Sequence, residues 1–319
     1  MAAYNGEKYI KEQIESIQRQ TYTNWHLYLS DDGSTDNTLK IINEIRENEK
    51  RIEPPISNKN GHGACLNFYS AIHYAKNLNI QYDYYLLADQ DDIWNEKKIE
   101  LQVKLLQEQE RENRETPILA YSNLALMNED GELQGKTMAD IHDINLQNPY
   151  DIFLNQIFIW GNTIAFNRTL MEYIHIPDDI GNQLSHDHYL AFYACTYGKV
   201  VYDHLPLVMY RRHDKNVSDL PTRYTWITAV CHLISSFGSI IDRHAINYSN
   251  VLYFAKNVTR PSELIDEIIV CYEKGGVAAL QFIKKYKIHA GANVYNDIAN
   301  RIILFTKVYK KSNEFRTNR

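Results

Sequence analysis

The sequence predicts an α/β protein: a mostly parallel central sheet flanked by helices, followed by a C-terminal helical extension. Three observations carry this. Up to about residue 140, short apolar or aromatic runs alternate with amphipathic stretches of helical period. Two of those runs end in acidic groups, "LYLSDDGSTD" and "YYLLADQDD", as strand ends facing a ligand crevice do. Beyond residue 222 only helical patterning remains.

Taken in order, "GEKYIKEQIESIQRQ" spaces Ile10, Ile14 and Ile17 on one helical face. "WHLYLS" predicts a strand ending at Asp31, and "DGSTD" is turn chemistry. Asp36 is an N-cap candidate for the helix carrying Leu39, Ile42 and Ile45. "ACLNFYSAIHYAKNL" predicts the next helix, "YYLLA" a strand and "EKKIELQVKLLQEQE" a helix. "PILAYSNLALM" with "NEDG" predicts a strand running into a hairpin or loop. "FIWGNTIAFNR" is expected as a strand, "HDHYLAFYACTYG" as a helix closed by Gly198, and "KVVYD" and "LVMYRRH" as two short strands. A boundary near Pro221 divides the chain into 1–220 and a helical 221–319.

At 319 residues, 44% hydrophobic and 23% charged, the composition is that of a soluble globular protein. The net charge of −6 is uneven. Residues 222–319 carry 14 Lys and Arg against 7 Asp and Glu, and residues 1–221 carry 20 against 33. A basic tail on an acidic body argues against nucleic-acid binding. The four cysteines form no C-x-x-C pair, which fits a reduced, intracellular protein without a zinc site. No signal peptide opens the chain. The uncharged 18-residue run 224–241 contains His232 and several Ser and Thr, so a buried or interfacial helix is expected rather than a span.

The acidic groups carry the chemistry. Clustering Asp89, Asp91 and Asp92 after an apolar strand is costly, because burial and mutual repulsion both oppose their ionisation. A divalent cation with substrate phosphates answers that cost, since Mg²⁺ and Mn²⁺ take one or two carboxylates plus phosphate oxygens. The competing explanation is capping: "SDDGSTD" as an Asp-rich turn, and "ADQDD" as the cap of a helix beginning near Asn95. Three acids exceed what a cap needs, and Asp92 is the one best suited to capping.

"AAYNGEKYI", "SDDGSTDNT", "ADQDDIW", "GNTIAFNR", "HDHYLA" and "YRRHDKNVS" occur in that order and at fitting intervals. As an ensemble they resemble the inverting glycosyltransferases of family 2, with the GT-A nucleotide-diphospho-sugar transferase fold, over roughly residues 1–220. The wording is most similar to bacterial rhamnosyltransferases of cell-wall and capsular polysaccharide synthesis. The resemblance implies that Ala2 and Tyr4 line the nucleobase pocket and that Asp32 accepts from the base. It implies that Asp89 lies near ribose and metal, and that Asp91 is the principal ligand of Mg²⁺ or Mn²⁺. Asp187 takes the place of the general base, and Arg211 and His213 close over the diphosphate, with His213 open to metal or phosphate or to neither. Trp160, Asn162 and His186 are expected beside the acceptor, with packing an equal alternative for Trp160. Two departures stand out: the first strand is short ahead of "YNG", through a truncated start or a tolerated stub, and Ala2 replaces a small hydroxyl residue.

The implied partners are a nucleotide-sugar donor, dTDP-rhamnose or a UDP-sugar, and a polysaccharide or lipid-linked saccharide acceptor. Transfer of another hexose and a non-catalytic nucleotide-sugar-binding module are the alternatives. An aspartyl phosphotransferase would want D-x-D followed by Thr or Val, which "DQDDIW" lacks. In the tail, "FIKKYKIH" and "RIILFTKVYKKS" interleave basic and apolar residues. That pattern fits peripheral attachment at the inner face of the cell membrane, or homodimerisation or packing.

Overall fold

The structure, a computed structural model, describes residues 1–59, 61–141, 148–154, 159–181, 184–213, 237–289 and 294–317. Pro221 and most of the uncharged run 224–241 lie outside the described residues. The chain forms two compact units, Met1–Ile144 with Phe158–Asn216, and Asn145–Ile157 with Val217–Arg319.

In the first unit, β1 (Ala2–Ala3), β2 (Ser30–Asp31) and β3 (Ile56–Ser57) pair in parallel in that order. Helices α1 (Ile10–Gln18) and α2 (Thr38–Asn48) connect them. Ile10, Ile14 and Ile17 are all buried, so the apolar stripe read from sequence is the packing face of α1. Asp36 does not occupy the N-cap of α2, which falls at Asn37; its carboxylate instead accepts from the Thr38 amide at 2.9 Å.

After α3 (Ala64–Lys76) comes a second sheet built from β4 (Tyr84–Leu86), β5 (Ile93–Trp94), β6 (Ile118–Met127), β7 (Leu133–Thr137), β8 (Ala165–Asn167) and β9 (Lys199–Arg211). Its order is β4-β8-β6-β9-β5, with β7 on β6. The α/β class is as expected, but the pairing is mixed. Only β6 and β9 run parallel here, because the β6–β7 hairpin and the inserted β8 reverse direction. The Ala2 amide donates to the Ala88 carbonyl at 3.3 Å, which brings β1 alongside the end of β4.

Helices α4 (Lys98–Glu110), α5 (Arg168–Tyr173) and α6 (His186–Tyr197) complete the unit. Two expectations change. "FIWGNTIAFNR" is a strand only at Ala165–Asn167, preceded by a 3₁₀ turn over Gly161–Thr163. "KVVYD" and "LVMYRRH" are one 13-residue strand, β9, whose register against β6 shifts on either side of the Asn123–Pro206 pair and so absorbs His204, Leu205 and Leu207.

The described parts of the second unit are helical: a 3₁₀ turn over Pro149–Phe153, then α7 (Phe237–Asn257), α8 (Glu263–Lys274), α9 (Val277–Lys285), α10 (Val294–Thr306) and α11 (Asn313–Thr317). Gly275 and Gly276, both at positive φ, make the reversal between α8 and α9. Tyr248, Tyr272 and Tyr309 form the buried centre. Their hydroxyls reach the Asn300 side chain at 2.8 Å, the Phe153 carbonyl, and the Tyr272 carbonyl at 2.8 Å, so each ring is buried without an unmet donor. Among the described residues no helix is long and apolar enough to cross a membrane.

Gly198 joins α6 to β9 where the backbone touches Pro117; a Cβ there would lie 1.8 Å from the Pro117 carbonyl oxygen. Gly198→Ala is expected to lower stability by about 1–3 kcal/mol or more through forced separation of β6 and β9. A urea denaturation midpoint measures it.

Candidate functional site

The site forms where β1, β2 and β4 end, opposite the start of α6. Each strand delivers its acids as the backbone leaves the sheet. After β2, Asp31 folds back onto its own turn, accepting from the Gly33 and Ser34 amides at 3.0 Å each. Asp32 points the other way and is buried, accepting from Asn58 Nδ2 at 2.7 Å and the Gly63 amide at 2.9 Å. The two neighbouring aspartates therefore divide the work: Asp31 closes the turn and Asp32 fastens it to the start of α3.

The loop after β1 docks on the same turn. The Asn5 amide donates to Ser34 Oγ at 2.9 Å, the Thr35 amide to Asn5 Oδ1 at 2.8 Å, and the Gly6 amide to Thr38 Oγ1 at 2.7 Å. Ala2 is buried in β1, while Tyr4 projects half exposed. Gln90, the residue between Asp89 and Asp91, grips the Tyr4 main chain at both ends. Its Oε1 accepts from the Tyr4 amide at 2.9 Å and its Nε2 donates to the Tyr4 carbonyl at 2.8 Å. Gly6 gives that side chain room: a Cβ there would meet Gln90 Oε1 at 2.1 Å. Gln90 was not singled out from sequence; its place between two acids, with a glycine four residues into the chain's first turn, was the available signal.

The three acids of "DQDD" have different surroundings. Burial, then Asp91 and Asp187, push Asp89 up to about 7. The influence of Asp187 shows that the N-terminal turn of α6 and the end of β4 converge on one region. Asp91 Oδ2 lies 2.9 Å from His213 Nε2, and the His213 ring stacks on Tyr9. Asp92 is fully buried and does not cap α4, whose N-cap is Lys97. Its carboxylate accepts from Asn162 Nδ2 at 2.5 Å and from the Arg211 amide at 3.2 Å. Burial raises its pKa well above the usual carboxylate range, and Asp91 and Asp89 add to the effect.

Arg211 was expected over a diphosphate, and the structure corrects this. The side chain is 2% exposed, donating from Nε to the Asp91 carbonyl at 3.0 Å, from Nη1 to the Glu129 carbonyl at 2.9 Å, and from Nη2 to Glu12. Its guanidinium also lies over the Tyr9 ring. Arg211 thus braces the acidic turn from behind. Asn162, expected beside the acceptor, serves Asp92 from a buried position, and its Oδ1 has no hydrogen-bond partner among the described residues. Trp160 is part-buried, its carbonyl accepting from the Thr163 amide at 3.0 Å and Oγ1 at 2.7 Å.

On α6, Ser185 is the N-cap and Asp187 lies in the first turn. Burial opposes ionisation of Asp187, but His188, His186 and Ser185 outweigh it and hold its pKa below the usual value. His186 was expected beside an acceptor. It is instead buried, stacked on Phe68 with ring centres 3.9 Å apart, and neither ring nitrogen has a hydrogen-bond partner among the described residues. A Cβ on Gly161 would meet its Nε2 at 2.3 Å, so that glycine makes room for the ring.

Among the described residues no group of three or more His, Cys, Asp or Glu is arranged to enclose a metal ion. The donor set is nevertheless of the kind that fits a hard cation completed by substrate. Two carboxylates, Asp89 and Asp91, stand one residue apart, with His213 on the second. A 440 Å³ cavity lined by Trp25, Tyr28, Phe68, Tyr82, Tyr85 and Phe166 includes none of the site's carboxylates.

Two outcomes follow from these contacts. Asp92→Ala strands the Asn162 amide and the Arg211 N–H, and is expected to cost about 1–3 kcal/mol for each, read from chemical denaturation. His186, held neutral with its pKa lowered to about 4 by burial, contributes stability that is complete above 6.5 and is lost as pH falls toward 4. Wild type should therefore lose more melting temperature on acidification across that window than His186→Asn, as thermal melts in parallel buffers would show.

Residues 1–113 match the family model described as glycosyl transferase family 2. The chain is 32% identical over 224 residues to the dTDP-rhamnosyl transferase RfbG of Shigella flexneri, covering 68% of this chain and 72% of that protein. It is 28% identical over 177 residues to the UDP-Glc:alpha-D-GlcNAc-diphosphoundecaprenol beta-1,3-glucosyltransferase WfgD of Escherichia coli, covering 56% of this chain and 62% of that protein. In fold it is similar to S. aureus TarS 1–349, solved in complex with UDP-GlcNAc. The TM-score is 0.56 at 15% identity, over 99% of this chain and 77% of that one. The GT-A fold and the match to RfbG across most of both chains lead to one conclusion: this chain belongs to glycosyl transferase family 2 and is a glycosyltransferase.

Proposed function

We propose that this chain transfers a sugar from a nucleoside-diphosphate donor to a hydroxyl of a bacterial cell-wall or capsular saccharide, with inversion at the anomeric carbon. The observation that carries the reading is the convergence of Asp187 with Asp89 and Asp91 in one unit. Asp187 is held ionised while Asp89 is held near neutrality. An acid that stays ionised suits proton acceptance; a pair that repels until a cation arrives suits metal and diphosphate.

In this reading Tyr4, Ala2 and Asp32 receive the nucleobase, with the Asn58 and Gly63 contacts fixing Asp32 in place. Asp91 and Asp89 would hold Mg²⁺ or Mn²⁺, and His213 would steady Asp91 or join it as a ligand. The cation, when bound, stabilises negative charge on the departing diphosphate. Asp187 takes the proton of the attacking hydroxyl, and a single displacement inverts the centre. Arg211 acts on the donor site indirectly, by holding the Asp91 carbonyl and the turn beneath it.

The name of the S. flexneri relative supports dTDP-rhamnose as the donor, and that of the E. coli relative supports a lipid-linked saccharide acceptor. A UDP-hexose is the second donor reading, favoured by the UDP-Glc named for WfgD.

Asp187→Asn is expected to lower kcat about 10²–10⁴-fold while donor binding survives. Asp91→Asn should abolish the cation-dependent part of donor binding. Melting-temperature shifts with dTDP, UDP, dTDP-rhamnose and UDP-sugars, each with and without Mn²⁺, separate the donors. An active Asp187→Asn protein would remove the assigned base, and no shift with any nucleotide would count against the transferase site.

A further inference from the structure

The second unit presents a surface that transfer chemistry does not use. Residues 298, 302 and 305 of α10 share one helical face, and Ile298, Ile302 and Phe305 there are 51%, 52% and 51% exposed. Their neighbours Ile303 and Leu304 are buried, so α10 has already met its packing needs on the other side. The exposed three line a 760 Å³ groove together with Leu280, Lys284 and Lys287. The basic residues nearby fall into two groups. Lys285 is paired with Glu263 and Glu267, and Arg301 with Asp297. Among the described residues, Lys284 and Lys287 have no carboxylate partner. Across residues 277–311 the chain carries seven Lys and Arg and one acid.

We propose that this face docks on an anionic lipid bilayer. Ile298, Ile302 and Phe305 enter the boundary between headgroups and acyl chains, and Lys284 and Lys287 meet lipid phosphates. A second copy of this chain fits less well. A two-fold contact sets each patch against itself, which would bring unpaired lysines together while the acids beside them, Asp297, Glu263 and Glu267, are already engaged by Arg301 and Lys285. Three half-exposed side chains also offer far less than the roughly 1,000 Å² that a specific interface needs. An acidic protein partner would satisfy the lysines, but not a stripe of Ile, Ile and Phe.

The structure also reassigns the apolar residues of the basic tail. Phe282, Ile283 and Ile288 of "FIKKYKIH" are buried and hold the helices together. The residues left to face a membrane are those on α10. The inference supplies a surface for the membrane attachment in the reading above. Its test requires no sugar transfer, so either can fail without the other.

The test is co-sedimentation of the full chain with phosphatidylcholine vesicles, with and without phosphatidylglycerol. The expected result is binding only when the anionic lipid is present, weakening as salt rises. Ile302→Glu with Phe305→Glu, and separately Lys284→Glu with Lys287→Glu, should each weaken it at least about tenfold. Circular dichroism, melting temperature and nucleotide-induced shifts should stay as in wild type, because all four side chains lie at the surface of this unit. The proposal is overturned by equal binding to neutral and anionic vesicles, by no binding to either, or by variants that bind like wild type. Light scattering that shows a wild-type dimer and monomeric variants would assign the face to a second copy instead.

Discussion

Everything in the first unit is arranged around the cost of gathering carboxylates at the end of one buried strand. Beyond the effect of burial, Asp91 and Asp187 push Asp89 up, Asp91 and Asp89 push Asp92 up, and the four acids have different surroundings. Asp92 is withdrawn into the interior and given two donors. Asp187 is offset by His188 and by the hydrogen bonds it accepts at the start of α6. Asp91 has His213. Asp89, like Asp92, is pushed up by burial and by the neighbouring acids, and a cation held at Asp89 and Asp91 would relieve that cost. The brace for this arrangement is Arg211, at the end of the longest strand, which joins α1 through Glu12, the β6–β7 turn through the Glu129 carbonyl, and the acidic turn through the Asp91 carbonyl.

Much of this was legible in the sequence, for local reasons. The α1 stripe, the acids at strand ends, the α6 helix with its closing glycine and the general outline of alternating elements all rest on neighbours within a few residues. The order of the second sheet did not, because strand direction depends on where β8 is inserted, and periodicity is blind to that. Pro206 and Leu205 made β9 look like two strands; the partner strand's irregular register, invisible in a one-dimensional pattern, makes it one.

The site shows the same division. The acids were singled out as candidates, but the buried contacts of Asp92, Arg211, Asn162 and His186 were not foreseen. Their partners lie 70 to 120 residues away in sequence for the Asp92–Asn162 and Arg211–Asp91 contacts, and no spacing rule reaches that far. The bland explanation, capping or surface, failed for Asp92 in one direction. The functional one failed for Arg211 and His186 in the other. In each case burial decided, and burial is a property of the folded chain. Three of the 24 tyrosines form the buried centre of the second unit with hydroxyls bonded.

The Gln90 clamp gives the two halves of the site a mechanical relation. Two hydrogen bonds, one to the amide and one to the carbonyl of the same residue, tie the Tyr4 loop to the turn bearing Asp89 and Asp91. A molecule that touches only the exposed Tyr4 ring thereby exerts a force on carboxylates it never meets. Docking at one end and charge placement at the other become a single displacement, transmitted through one amide side chain.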